Sequence, residues 1–239
     1  MAIMVLVRHG RTRANAEGIL AGWTQGIGLD DHGQQQAERV ATRLADAPVV
    51  AVLASPLQRC QETAAALLRR QADPPSLRTV QSLGECRYGA WTGRPLKELA
   101  KEPLWKDVQA RPSSVRFPDS ADFEAESMQQ MQDRAVATVR AADAEVSAEH
   151  GPGAIWVAVS HGDVIKAILA DAAGTSLDNF QRIMVDPASV SIVRYGKEHT
   201  FLVRTNDSGG DPVDLAGLAK AAGESDAEHA QVGGGSGTV

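Results

Sequence analysis

Two histidines of this chain lie one residue beyond the end of an apolar segment, and a glycine comes after each of them. His9 follows residues 3–7 in LVRHG, and His161 follows residues 154–159 in VSHG. Short apolar runs rich in β-branched residues are typical of buried strands, and burying a polar ring without a partner is costly. One such histidine is most often a core residue with a satisfied hydrogen bond. Two in the same context favour a shared site.

Two arginines also lie near the ends of apolar segments. Arg8 precedes His9, and Arg59 follows a third apolar segment, residues 49–53, at the start of a predicted helix. The planar guanidinium group binds phosphate oxygens through two parallel hydrogen bonds, a geometry that lysine lacks. Arg8 and Arg59, together with His9 and His161, therefore predict a phosphate site.

A metal site is the alternative interpretation, because histidine is the commonest metal ligand. However, the sequence has no HExxH motif or similar spacing that would indicate a third metal ligand, and the neighbouring arginines would repel a cation. We therefore expect neither a metal nor another cofactor.

Histidine beside bound phosphate and two arginines could act as a nucleophile. The positive charge nearby disfavours the imidazolium form, so His9 is expected to be neutral and able to attack phosphorus. The leaving alkoxide then needs a proton from an acid at the rim of the site. Glu85, just after a strand-like segment that ends at Leu83, is the best-placed candidate, and Asp163 competes with it.

The elements that must position these residues alternate between strands and helices, which predicts an α/β fold with a mainly parallel sheet. In such sheets ligands bind at the carboxyl ends of the strands, where the histidines fall. The predicted strands are residues 3–7, 49–53, 77–83, 154–159, 189–194 and 200–204, and the predicted helices are residues 34–46, 55–70, 126–149 and 164–173. Ser55 is expected to cap the second helix, with Pro56 in its first turn.

We predict one domain over residues 1–205. Residues 86–125 lose periodicity and are rich in turn-forming residues, tryptophan and proline, so they are expected to form a lid insertion. Residues 206–239 are small, polar and glycine-rich, and this composition predicts a disordered tail. Residues 215–222 could form a short helix within it.

The composition excludes several classes of function. A net charge of −6 argues against binding to nucleic acid or to an anionic membrane surface. No apolar run reaches the roughly 20 residues needed to cross a bilayer. The N-terminus lacks the features of a signal peptide, so the expected compartment is the cytoplasm.

Several separated motifs resemble those of the histidine phosphatase superfamily, the phosphoglycerate mutase-like enzymes. The resemblance covers residues 3–205 in the same order. Its motifs are RHGRTRAN from Arg8, the Gly22-Trp23 pair, SPLQRCQET from Ser55, LGECRYGAWTG from Leu83 and VSHGDVIKAIL from Val159.

The resemblance implies a three-layer fold, a mainly parallel sheet with one antiparallel strand flanked by helices, and chemistry without a metal. It implies a phosphohistidine on His9 and proton donation by Glu85. A homodimer through an edge strand or a helix is also implied. The residues that it assigns to catalysis or substrate binding are Arg8, His9, Asn15, Gly22, Arg59, Glu85, His161 and Gly162.

Three functions are compatible with this pattern. The favoured one is a phosphomonoesterase that acts on a small phosphorylated substrate. The runner-up is a cofactor-dependent phosphoglycerate mutase, which would need a basic, closed lid, whereas this lid mixes basic and acidic residues. The third is a non-catalytic protein that binds a phosphorylated ligand. Thr92 stands where a glutamate is common in the family, so the substrate stays open.

Overall fold

Six strands form one sheet in the computed structural model, which describes residues 2–196 and 198–209. They are β1 (Ile3–Arg8), β2 (Val49–Ala54), β3 (Leu77–Thr79), β4 (Ile155–Ser160), β5 (Val190–Tyr195) and β6 (Thr200–Asp207). Their spatial order is β3-β2-β4-β1-β5-β6. The first four strands pair in parallel, and β5 runs antiparallel to both of its neighbours. The predicted sheet, mainly parallel with one antiparallel strand, is confirmed.

Helices cover both faces of the sheet because its central strands are apolar on both sides. Alternate residues of a strand point to opposite faces. In β1, Met4 and Leu6 join one core cluster, and Val5 and Val7 join the other. The α-helices are α1 (Arg13–Ala16), α2 (Asp31–Arg43), α3 (Gln58–Arg70), α4 (Leu96–Leu99), α5 (Pro103–Ala110), α6 (Met128–His150) and α7 (Gly162–Ala172). The first cluster includes residues of α6 and α7 and the second includes residues of α2 and α3, which gives three layers.

The predicted strand over residues 77–83 is wrong in its second half. β3 ends at Thr79, and Gln81–Leu83 form a 3-10 turn. The turn is stabilised from outside the sheet, because the Arg134 side chain donates hydrogen bonds to the carbonyl oxygens of Ser82 and Gly84. A longer strand would direct these carbonyl groups elsewhere.

Helix starts also differ from the prediction. Helix α3 begins at Gln58 rather than at Pro56, and Ser55 is not its cap. Helix α7 begins at Gly162, directly after His161. Helix α6 begins at Met128, where Ser127 accepts a hydrogen bond from the backbone of the third helical residue in a capping box.

Residues 86–125, predicted as a lid, contain α4 and α5 joined by turns. Trp91 of this segment is buried, with its ring centroid 5.4 Å from that of Phe117. At the other end of the chain, β6 extends to Asp207, so Asn206 and Asp207 belong to the sheet and not to the predicted tail. Residues 210–239 of that tail, with the possible helix over residues 215–222, lie outside the described residues. No helix among the residues described is long and apolar enough to cross a membrane.

Candidate active site

The two histidines meet because their strands are neighbours. β1 and β4 pair in parallel with Arg8 opposite Ser160, so the next residue of each strand lies at the same edge of the sheet. The ring centroids of His9 and His161 are 5.2 Å apart, at an interplanar angle of 62°. β2 lies on the other side of β4, and the chain that leaves it leads to Arg59 in α3.

The His9 ring is fixed in one tautomer. Its Nδ1 lies 2.7 Å from the carbonyl oxygen of Gly10. A carbonyl oxygen only accepts hydrogen bonds, so Nδ1 carries the proton and Nε2 carries the lone pair. The Gly10 N–H donates in turn to Thr63 Oγ1 at 3.1 Å. Burial, followed by the positive charges of Arg59 and Arg8, holds the pKa of His9 well below its ordinary value, so the ring is neutral at pH 7.

His161 lies beside His9 and is fully buried. Its Nε2 is hydrogen-bonded to Ser55 Oγ at 2.7 Å, and the Ser55 hydroxyl also accepts the Leu57 N–H at 3.3 Å. Its Nδ1 lies 3.7 Å from Glu85 Oε2. Burial and then the charge of Arg59 lower the pKa of His161 well below the ordinary value, so both imidazoles are neutral.

Two arginines lie beside the histidines, and both are buried. Arg8 Nη1 donates to the carbonyl oxygen of Val185 at 2.8 Å. Arg59 Nη2 donates to the carbonyl oxygen of Gly22 at 2.9 Å. Arg59 Nη1, by contrast, is a buried donor with no hydrogen-bond acceptor among the described residues. Such a donor is costly unless a ligand supplies the acceptor.

A small cavity collects most of the predicted residues. It is lined by His9, Asn15, Gly22, Arg59 and Glu85, with Gly18, Ile19, Leu20, Ala21 and Leu96 as its remaining walls. Arg8, His161 and Gly162 do not line it. Arg8 and His161 are fully buried, and Gly162 is buried at the start of α7.

Asn15 takes part in the capping box of α1. Its Oδ1 accepts hydrogen bonds from the backbone N–H of Thr12 at 3.0 Å and from the Thr12 hydroxyl at 2.9 Å. This leaves the amide nitrogen of Asn15, which can only donate, for the cavity that the residue lines.

Glu85 is the carboxyl group that borders the cavity, and it is buried with 4% of its surface exposed. Burial and then the charge of Asp163 raise its pKa from 4.5 to about 7. Its Oε1 accepts the backbone N–H of Cys86 at 2.9 Å. A carboxyl group in this range can hold a proton at neutral pH and release it.

Asp163, the competing candidate, lies elsewhere. It is fully buried and does not line the cavity. Its Oδ2 accepts the hydroxyl proton of Tyr88 at 2.7 Å, and its Oδ1 lies 3.8 Å from Lys166 Nζ. The geometry therefore favours Glu85 as the acid.

Four residues near the site have contacts that sequence reasoning did not anticipate. Ser55, expected to cap a helix, contacts His161 instead, and Thr63 holds the backbone beside His9. Trp23 donates from Nε1 to the Glu85 carbonyl oxygen at 2.6 Å, and Arg134 of α6 donates to the same oxygen at 3.0 Å. Ser55, Thr63 and Trp23 lie in motifs shared with the histidine phosphatase superfamily, and this membership was the sequence signal that could have indicated a role near the site. Arg134 gave none.

The fold and the site define an α/β protein with two neutral histidines, two buried arginines and a protonatable glutamate at the carboxyl edge of its sheet. Within the part of the chain that the structure describes, no group of three or more histidine, cysteine, aspartate or glutamate residues could hold a metal ion. The chain belongs to the histidine phosphatase superfamily, branch 1, whose family model matches residues 4–208.

Among its relatives, an uncharacterized protein of Mycobacterium tuberculosis is 42% identical over 93 residues, which are 37% of this chain and 46% of that protein. The chain thus aligns with about half the length of that relative. The metal-independent phosphoserine phosphatase of Arabidopsis thaliana is 32% identical over 69% of this chain and 66% of its own length. Phosphoglycerate mutase-like protein 4 of the same plant is 30% identical, covering 84% of each chain.

A solved structure shows the same fold. The phosphoserine phosphatase of Entamoeba histolytica, crystallised with 3-phosphoglyceric acid, superposes with a TM-score of 0.72 over 87% of this chain and 98% of its own, at 23% identity.

Proposed function

We propose that this protein is a metal-independent phosphomonoesterase that acts through a phosphohistidine on His9. One observation carries the proposal: Arg59 Nη1, a buried donor without an acceptor among the described residues, belongs to a residue lining the same cavity as His9. A phosphoryl oxygen would supply the missing acceptor and would bring phosphorus within reach of the His9 Nε2 lone pair.

In the first step, His9 Nε2 attacks phosphorus and the bond from phosphorus to the ester oxygen breaks. The protonated Glu85 carboxyl group gives its proton to the leaving alkoxide, so an alcohol departs and Glu85 becomes a carboxylate. Arg59, which lines the cavity, stabilises the negative charge on the equatorial oxygens directly. The buried charge of Arg8 and the His161 ring, which lie beside His9, add to this stabilisation.

In the second step, water attacks the phosphohistidine. The Glu85 carboxylate takes a proton from that water as the bond between phosphorus and Nε2 breaks. Inorganic phosphate leaves, and both His9 and Glu85 return to their starting protonation states. No metal is needed, because the two guanidinium groups supply the positive charge that a metal ion would otherwise provide.

Phosphatase activity is preferred over mutase activity because arginines near the cavity are already paired with carboxylates. Arg11 pairs with Asp30 at 2.8 Å. Arg94, whose carbonyl oxygen accepts the N–H of Leu20 in the cavity wall, pairs with Glu102 at 2.8 Å. A mutase must hold a second anionic group of its substrate and exclude water, and paired arginines are poorly suited to that task.

Transient phosphorylation tests the proposal directly. The purified protein is mixed with excess p-nitrophenyl phosphate, quenched in base, and analysed by intact mass spectrometry and by peptide mapping. We expect one added phosphoryl group on His9, destroyed by acid, together with steady release of phosphate. His9→Ala should lose both, and His150→Ala, at the exposed end of α6, should keep both.

Other outcomes separate the alternatives. Rapid interconversion of 2- and 3-phosphoglycerate with little phosphate release would show that the protein is a phosphoglycerate mutase. Binding of phosphate esters without phosphorylation of His9 would establish a non-catalytic binding protein. Hydrolysis that persists in His9→Ala would refute the assignment of the nucleophile.

A further inference from the structure

Arg134 is a mostly buried charged residue that the proposed steps do not use. It projects from α6, and its side chain is 17% exposed. Its Nη1 donates to the carbonyl oxygens of Ser82 at 2.7 Å and Gly84 at 2.9 Å, and its Nη2 donates to that of Glu85 at 3.0 Å. One guanidinium group thus binds three backbone carbonyls over four consecutive residues that end at Glu85.

Arg134 is itself held in place by a carboxylate. Its Nε and Nη2 donate to the two oxygens of Glu126 at 3.0 and 2.6 Å. The same carboxylate accepts the backbone N–H of Arg87 at 2.9 Å. The pair therefore fixes the chain on both sides of Glu85, through residues 82–85 on one side and residue 87 on the other.

The Glu85 carboxyl group depends on this support because its side chain is hydrogen-bonded to the backbone right beside it. Its Oε1 accepts the backbone N–H of Cys86, the next residue in the chain, and its Oε2 lies 3.7 Å from His161 Nδ1. The position of the backbone of residues 84–86 therefore determines the position of the carboxyl group in the cavity. Displacement of a catalytic group by about 1 Å can cost a factor of about 100 in rate.

We propose that Arg134 is the positioning residue of the general acid: it holds the Glu85 backbone so that the carboxyl group meets the leaving oxygen. This inference rests on the proposed function, in which Glu85 donates the proton. Lysine could not replace Arg134, because three carbonyl groups and a carboxylate need the five donors of a planar guanidinium group.

A positioning role makes a prediction that a merely structural role does not. Proton donation matters for an alkoxide leaving group and hardly at all for 2,4-dinitrophenolate, which leaves as a stable anion. Loss of Arg134 should therefore impair turnover selectively, according to the leaving group. General loss of folded protein would lower both activities equally.

The experiment compares Arg134→Lys and Arg134→Met with wild type on glycerol 1-phosphate and on 2,4-dinitrophenyl phosphate. We expect kcat/KM to fall by about 10- to 100-fold on the alkyl ester and by less than about threefold on the aryl ester. This ratio reports the steps up to the first phosphoryl transfer and leaves out the hydrolysis of the phosphohistidine, in which Glu85 acts on both esters alike. The matched control is Arg140→Met on the same helix, which removes an exposed ion pair with Asp171 and should leave both rates unchanged. Equal losses on the two esters, or no loss on either, would overturn the proposal.

A double variant tests the route through Glu85. If Arg134 acts through the acid, adding Arg134→Lys to Glu85→Gln should cost little further activity on the alkyl ester, whereas independent roles would multiply the two losses. If Arg134→Met does not fold, the conservative Arg134→Lys still answers the question. Failure of the proposed function is distinguishable, because wild type would then hydrolyse neither ester.

Discussion

The raised pKa of Glu85 predicts a specific dependence of turnover on pH. Burial and the neighbouring Asp163 charge raise this pKa from 4.5 to about 7. At pH 7 about half of the Glu85 side chains would then carry the proton, against roughly 1 in 300 for a carboxyl group at its ordinary pKa. The structure thus supplies about a 150-fold gain in the population of the acid form at neutral pH.

The assay is the ratio of kcat/KM for glycerol 1-phosphate to kcat/KM for 2,4-dinitrophenyl phosphate, measured from pH 5 to 9. The ratio cancels the titration of His9, which both esters need, and much of the titration of the substrate phosphate. We expect it to be constant below pH 6 and to fall about tenfold per pH unit above 7, with a midpoint near the pKa of Glu85.

Glu85→Gln is the control, because glutamine fills the same space but has no titrating proton. Its ratio should be low and independent of pH. The reasoning is refuted if the wild-type ratio already falls about tenfold per pH unit between pH 5 and 6, as an acid with a pKa near 4.5 would make it do, or if the ratio does not change from pH 5 to 9. In the first case the acid has an ordinary environment, and in the second another group donates the proton.

Three further predictions follow from the same contacts. Glu85→Gln should stabilise the fold by about 3 kcal/mol at pH 8 and should have no effect on stability below pH 4.5. The raised pKa means that the native state binds more protons than the unfolded state, so the wild-type free energy of unfolding falls as pH rises from 4.5 to 7. Urea unfolding at both pH values measures this difference. Asp163→Asn should move the midpoint of the ester ratio to lower pH, because it removes the negative charge that helps to raise the pKa of Glu85. Gly10→Ala should destabilise the fold by about 1–3 kcal/mol in urea unfolding, because an added Cβ would lie 2.4 Å from the Gly33 carbonyl oxygen, which is backbone and yields little.

Each of these predictions has a control. For Glu85→Gln, the exposed Glu149→Gln should leave the pH dependence of stability unchanged. A midpoint that stays in place in Asp163→Asn would mean that burial alone raises the pKa of Glu85. The control for Gly10→Ala is Gly28→Ala, because a Cβ at position 28 would meet only the flexible side-chain ends of Gln58 and Glu62. Gly26→Ala is unsuitable as a control, because the φ of +75° at Gly26 would strain any other residue. Equal destabilisation by Gly10→Ala and Gly28→Ala would contradict the packing argument.

The sequence alone determined the sheet and the edge at which the site lies. Apolar runs such as residues 3–7 and 154–159 are buried on both faces, and an apolar run of that length and composition favours a strand wherever it packs. The polar residues and glycine that follow each run end the strand. His9 and His161 must therefore lie at the carboxyl edge of the sheet if the strands are parallel. Local pattern is sufficient for such inferences, because they depend on residues close together in the chain.

Tertiary structure decided everything that depends on contacts between distant segments. The 3-10 turn of Gln81–Leu83 replaces a predicted strand because Arg134, about 50 residues further along the chain, binds its carbonyl groups. Ser55 was expected to cap a helix, yet its hydroxyl contacts His161, 106 residues away. The choice of Glu85 over Asp163 likewise depended on which carboxyl group borders the cavity. Hydrophobic periodicity cannot predict these contacts, because each joins two segments that are distant in the chain and meet only in the folded protein.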